Sequence, residues 1–142
     1  MVMRSIDLAR ECLGTPFRPQ GRQRLEGLDC VGLITENLRA AGHSVEEVTD
    51  YEIGCSQFSA LLLEYVQKQC YRIEEVEAEE GDIALFWVRV PGRPQHMGFI
   101  SAWGKAPHII HAPGGGRVSE IPLTENWLKR VHSLWRFKEG QA

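Results

Sequence analysis

The chain has 142 residues, enough for a single domain over 1–142 that buries roughly two-thirds of its unfolded surface. A hydrophobic fraction of 43% and a charged fraction of 25% are those of an ordinary globular protein, and the net charge of −3 argues against a general nucleic-acid binder, which carries a basic surplus. No apolar run approaches the roughly 18 residues of a membrane span. The opening "MVMRSIDLARECLG" carries Asp7 and Glu11 in an amphipathic pattern, unlike a signal peptide's basic region and apolar core. Synthesis in the cytoplasm is therefore expected, with any later export needing another route.

In chain order, Val2, Ile6, Ala9 and Leu13 recur at helical spacing and predict a helix over 3–13, closed by Gly14 with Pro16 beyond. The Arg-rich stretch "TPFRPQGRQRLEGL" reads as a polar loop. Asp29 is placed to cap a second helix, with Cys30, Leu33, Ile34, Asn37, Leu38 and Ala41 about one face and Gly42 at its end. A third helix is expected over 56–69, with Phe58, Leu61, Leu62, Tyr65 and Val66 as its apolar stripe and Ser56 as its cap.

The texture then changes. "EEGD" signals a turn, and the nearly continuous apolar run "IALFWVRV" reads as a central strand. "PGRPQ" is expected as a loop, "HMGFISAW" as a strand, "GKAP" as a turn and "HIIHA" as a further strand. "GGGRVSEIPL" suggests a turn and a short strand, 124–130 a short helix, and "SLWRF" a last strand. Helices first and antiparallel strands later make the fold class α+β.

Four cysteines, Cys12, Cys30, Cys55 and Cys70, are widely spaced without a C-x-x-C pair, which fits neither a structural zinc site nor a dense disulfide scaffold. Cys30 stands apart, because the first turn of a helix offers unpaired N–H groups and the positive end of the dipole, both favouring a thiolate. Gly32 just behind it would leave room for a substrate carbonyl. The competing reading is a core cysteine on the helix's inner face.

A nucleophilic cysteine needs a base and a group that orients the base. Of five histidines, His43 and His132 read as capping or solvated residues. His96 opens a strand in "QHMGFI", and alternation sends it to the same face as Gly98, which would leave space beside the imidazole. His108 and His111 lie three apart and face opposite sides of their strand, so at most one shares the face of His96. Cys30, His96 and His111 could in principle hold zinc, but no tight ligand nucleus accompanies them. No metal or cofactor is expected.

At this point the motifs resemble a family. "LDCVGLI" resembles the D-C-S/A/V-G-L motif of NlpC/P60 cysteine peptidases, "EEGDIALFW" their G-D strand, "HMGFI" their H-V/L/M-G strand and "IIHAPGGGRV" their I-H-A segment. "GTPFRPQGR" is similar to their lead-in, especially in a phage and prophage tail subgroup, whose closing strand "LWRF" resembles. The matches run in family order over about residues 5–137. The resemblance implies a papain-like core in which a helix packs on an antiparallel sheet. It makes Cys30 the nucleophile, His96 the general base and His111, rather than His108, the group that orients the base.

The implied reaction is acyl transfer to sulfur and hydrolysis of peptidoglycan stem peptides, most often at the γ-D-glutamyl–diaminopimelate bond. For the tail subgroup the implied partners are phage tail proteins, and the implied setting is a virion tail acting at the cell wall. Asp29, Gln20 and Phe17 are expected to line the site near the oxyanion, with Gln20 equally suited to bracing its loop. Phe17 stands where many members carry Tyr, and Pro19 where the tail subgroup often has His. Arg22, Arg24 and Arg93, in loops flanking the expected cleft, either receive substrate carboxylates or remain solvated. Trp87 and Trp103 read as core or strand-supporting residues. Other amide hydrolysis or acyl transfer on the same fold, and a tail-assembly protein with a vestigial site, remain open.

Overall fold

The computed structural model describes residues 3–138. Three helices precede most of the sheet. Helix α1 spans Ser5–Glu11, α2 spans Cys30–Ala40 and α3 spans Ser56–Gln69. A two-residue ribbon, β1 (Arg22–Gln23) with β2 (Gly27–Leu28), lies just before α2. Strands β3 (Cys70–Ile73), β4 (Ile83–Trp87), β5 (Pro94–Ala102), β6 (His108–His111), β7 (Ser119–Pro122) and β8 (Val131–Phe137) form one antiparallel sheet in the order β3-β8-β4-β5-β6-β7. A short helix α4, Glu125–Leu128, leads into β8. The molecule is thus α+β, with a central antiparallel sheet.

The apolar run of β4 is continuous because both faces of the sheet are covered. Ile83 and Leu85 join Met97, Phe99, Ile110 and Trp135 on the face that packs against α1, α2 and α3. Ala84 and Phe86 turn the other way, with Ile100, Ile109 and Leu134, and meet Trp103 and Trp127. The stripe of α3 is buried at Phe58, Leu62, Tyr65 and Val66 but only half-buried at Leu61.

Several boundaries differ from the sequence expectation. The Arg-rich loop contains the β1–β2 ribbon. Strand β3 begins directly where α3 ends, because Cys70 takes an extended backbone and points inward while Tyr71 and Arg72 face out. Strand β5 starts at Pro94 inside the expected "PGRPQ" loop; its partner is Trp87 across a bulge, and a first strand position tolerates a missing N–H. Residues 88–90 leave the strand as a bend. Ser56 is the first helical residue rather than the cap; Cys55 occupies the cap position without a side-chain bond.

Gly98 works differently from expectation. A Cβ there would meet Ile110 O at 2.8 Å and His111 Cβ at 3.2 Å. The missing side chain is therefore filled by β6, not left open beside His96. Gly98→Ala should destabilise the protein by about 1–3 kcal/mol in urea titration, whereas Gly114→Ala, which faces open space, should stay within about 0.5 kcal/mol of the parent. Equal midpoints for the two variants would contradict this packing.

Candidate active site

The site begins with the cap of α2. Asp29 is fully buried and its Oδ1 accepts the N–H of Gly32 at 2.8 Å, the side-chain cap expected from sequence. The same carboxylate accepts three further donors. Arg22 Nη1 reaches Oδ1 at 3.1 Å, and the Gln20 N–H and the Tyr51 hydroxyl reach Oδ2. Arg22 also donates to Gly21 O, Val48 O and the Tyr51 hydroxyl oxygen, and pairs with Glu47 at 3.0 Å. Breaking a buried ion pair on one side typically costs about 3–5 kcal/mol, so this cluster fixes the entry to α2.

Asp29 is therefore walled off from solvent and holds the helix start, rather than lining a substrate site. Arg22 is neither a receptor for substrate carboxylates nor a solvated charge, because its guanidinium is committed inside the fold. Its guanidinium pKa is raised: burial works to lower it, but the Tyr51 hydroxyl and the Glu47 and Asp29 carboxylates outweigh that. Gln20 braces its loop, donating to Tyr51 O at 3.0 Å and accepting from Asp50 N at 3.1 Å. Phe17 is half-buried and bridges to Leu28, two residues before Cys30. Arg24 pairs with Glu11 at 2.8 Å on the surface, and Arg93 is exposed in the β4–β5 loop. Gly32 leaves no pocket for a carbonyl, because the space a Cβ would take is filled by Gly21 O.

Cys30 begins α2 and is 1% exposed. Its sulfur faces the backbone N–H groups of Met97, Val31 and Cys30 itself, which sets it against β5 at the residue following His96. The N–H donors favour the thiolate, yet burial, followed by the adjacent Asp29 carboxylate, outweighs them and pushes the thiol up to about 12. The resting group is a neutral thiol, contrary to the expectation from the helix dipole alone. All four cysteines are free, and Cys12 instead shares a buried hydrogen bond with Asn37 at 3.5 Å.

His96 on β5 and His111 on β6 lie on one face of the sheet, and His96 Nε2 and His111 Nδ1 share a hydrogen bond of 2.8 Å. His108 lies on the opposite face and its Nδ1 bonds Ala106 O. Two residues not singled out from sequence complete the surroundings: Trp127 of α4 meets the His111 ring edge-on at 5.3 Å, and Phe86 lies 6.2 Å from the His96 ring. Burial depresses both imidazoles well below their ordinary range, with His96 pushed further by His111. His43 packs on Phe137, and His132 shares a hydrogen bond with Ser133 Oγ. Trp103 bonds Glu75 O, and Trp87 lies under Arg130. Among the described residues, no group of three or more His, Cys, Asp or Glu side chains is placed to hold a metal ion. No helix among them is long and apolar enough to cross a membrane.

The fold has counterparts among known proteins. The sequence profile of the NlpC/P60 family matches residues 14–136. Among solved structures, a protein from Staphylococcus aureus described as similar to a lipoprotein of the NLP/P60 family superposes with a TM-score of 0.71 at 20% identity, over 98% of this chain and 42% of its own length. The NlpC/p60 domain of the peptidoglycan hydrolase SagA gives 0.60 at 22% identity, over 94% of this chain and 95% of the domain. RipD from Mycobacterium tuberculosis, described as a non-catalytic NlpC/p60 domain protein adapted to peptidoglycan binding, gives 0.57 at 17% identity over 94% and 98%. A Bacillus cereus NlpC/P60 family protein is covered over 40% of its length, so the chain spans about two-fifths of this protein and of the staphylococcal one. No match was found among curated proteins.

The histidine pair makes stability depend on pH with a definite sign. A folded imidazole depressed below its unfolded value, about 6.5, binds fewer protons than the unfolded chain. The cost is absent above that pH and grows as pH falls toward the folded values. Between pH 7.5 and 5 the parent should lose about 4 kcal/mol more stability than a His96→Gln/His111→Gln double variant, about 2 kcal/mol for each histidine, with His132 contributing equally to both. Urea midpoints at the two pH values check this; parallel losses would contradict it.

Proposed function

Because the chain belongs to the NlpC/P60 family, we propose that it is a cysteine peptidase of peptidoglycan stem peptides, with Cys30 as nucleophile, His96 as base and His111 as the group that orients it. The observation that carries this reading is the His96–His111 hydrogen bond, 2.8 Å long, on the strand whose next N–H faces the Cys30 sulfur.

In this reading His96 is the donor in its bond with His111. With His96 Nε2–H donating to His111 Nδ1, the lone pair of His96 lies on Nδ1, and His111 fixes that tautomer. Since both thiol and imidazole rest neutral, the proton leaves Cys30 for His96 as the sulfur attacks the amide carbonyl, rather than beforehand. The imidazolium then protonates the leaving amine, and water deprotonated by the same ring hydrolyses the thioester. Backbone N–H groups at the start of α2 meet the oxyanion. The bond is the γ-D-glutamyl–diaminopimelate amide, as in the family pattern. The similarity of "GTPFRPQGR" and "LWRF" to the tail subgroup supports a phage-tail setting, with local digestion of the wall.

A second reading is favoured by the 1% exposure and neutral state of Cys30: a domain that binds peptidoglycan without cutting it. Mass spectrometry of purified peptidoglycan after incubation separates the two. The peptidase reading expects fragments with a free γ-carboxyl and a new amine, abolished by Cys30→Ala. His111→Ala should lower kcat by about 10²–10⁴-fold, the ordinary range for losing acid–base support. Fragments still released by Cys30→Ala would overturn the mechanism, and protein that sediments with peptidoglycan and leaves it intact would favour binding alone.

A further inference from the structure

We infer that Arg22 is a positioning residue for the proposed reaction, its positive charge offsetting Asp29 so that Cys30 can give up its proton. The inference rests on the peptidase reading only for its purpose; the electrostatic effect itself is a property of the resting protein.

Three observations converge. Asp29 is bonded in sequence to Cys30 and its carboxylate is fully buried, so its field at the sulfur is little screened by water. That carboxylate opposes formation of a second negative charge on the thiol. Arg22 is the cation bonded to it, at 3.1 Å, with a side chain only 17% exposed. The other groups around Cys30 do not supply this charge. Tyr51 is a neutral donor to Asp29, and burial raises its pKa further. His96 and His111 on β5 and β6 rest neutral, their pKa values depressed by burial. Glu47 adds a second carboxylate, but at the outer side of Arg22 and half-exposed.

The geometry also explains why the cation is built in rather than left to substrate. Arg22 reaches Asp29 from β1, while Gly32 lets the Gly21 carbonyl approach α2 closely. A side chain at residue 32 would push the ribbon and its guanidinium away. The Arg22–Asp29 pair thus preserves the capping carboxylate that α2 needs while cancelling much of its electrostatic penalty for the nucleophile.

The test is the rate of iodoacetamide alkylation at Cys30, located by peptide mass spectrometry, from pH 6 to 9. Reaction proceeds through the thiolate, so at equal access to the buried sulfur the rate reports the thiolate population without requiring substrate. Arg22→Gln should slow alkylation about tenfold at each pH, as expected for one charge removed at partly buried range. Arg22→Lys should stay within about threefold of the parent. Should Arg22→Gln fail to fold, the same step in an Asp29→Asn background, where no carboxylate is left unpaired, should again slow alkylation about tenfold. A purely structural role predicts the opposite sign, because a loosened cap exposes Cys30 and speeds the reaction. Unchanged or faster alkylation in folded Arg22→Gln, or in the Asp29→Asn background, overturns the inference. Parent protein that alkylates as described but releases no stem-peptide fragments overturns the peptidase reading and leaves this inference standing.

Discussion

The buried carboxylate of Asp29 is the constraint on which the rest of the site depends. It collects donors from four segments: the first turn of α2, the β1 arginine, the Gln20 backbone and the Tyr51 hydroxyl. Each donor satisfies a polar group that would otherwise lie buried and unpaired. Together they fix where α2 starts, and Cys30 is the residue that starts it. Alternation and the close approach permitted by Gly98 then place His96 beside His111 on neighbouring strands.

That arrangement has an electrostatic cost. The carboxylate that caps the helix sits next to the group that the proposed chemistry must ionise, and burial adds to the same penalty. A helix N-terminus is commonly read as an activator of cysteine. Here its N–H groups do favour the thiolate, but desolvation wins, because the sulfur is almost completely removed from water. The histidines are held neutral for the same reason. The thiol and the two imidazoles thus rest uncharged, so the proposed chemistry starts from neutral groups rather than from a thiolate–imidazolium pair.

Much of this frame is legible in the chain, and the exceptions share a cause. Asp29 as a cap, the two-sided burial of "IALFW" and the opposite faces of His108 and His111 all follow from local spacing, which sequence displays directly. The commitments of Arg22 do not. Its partners Asp29, Glu47 and Tyr51 stand 7, 25 and 29 positions away, so a loop arginine looks solvated until the loops are closed. The space expected beside Gly32 and Gly98 is filled by the Gly21 carbonyl just before β1 and by backbone of β6, for the same long-range reason. The neutral state of Cys30 was hidden because a helix terminus is visible in sequence and the depth of its burial is not. Trp127 was read only as part of a short helix, and its place against His111 depends on how α4 folds back onto the sheet.

The central claim is that an acyl group passes through the sulfur of Cys30 with His96 as its base, and acid-quenched mass spectrometry of the protein mixed with a stem-peptide substrate tests it most directly. The account predicts a transient mass increase equal to the acyl fragment, confined to the peptide containing Cys30 and absent in His96→Ala. Release of the amine product with no such adduct, or an adduct on another residue, would contradict it.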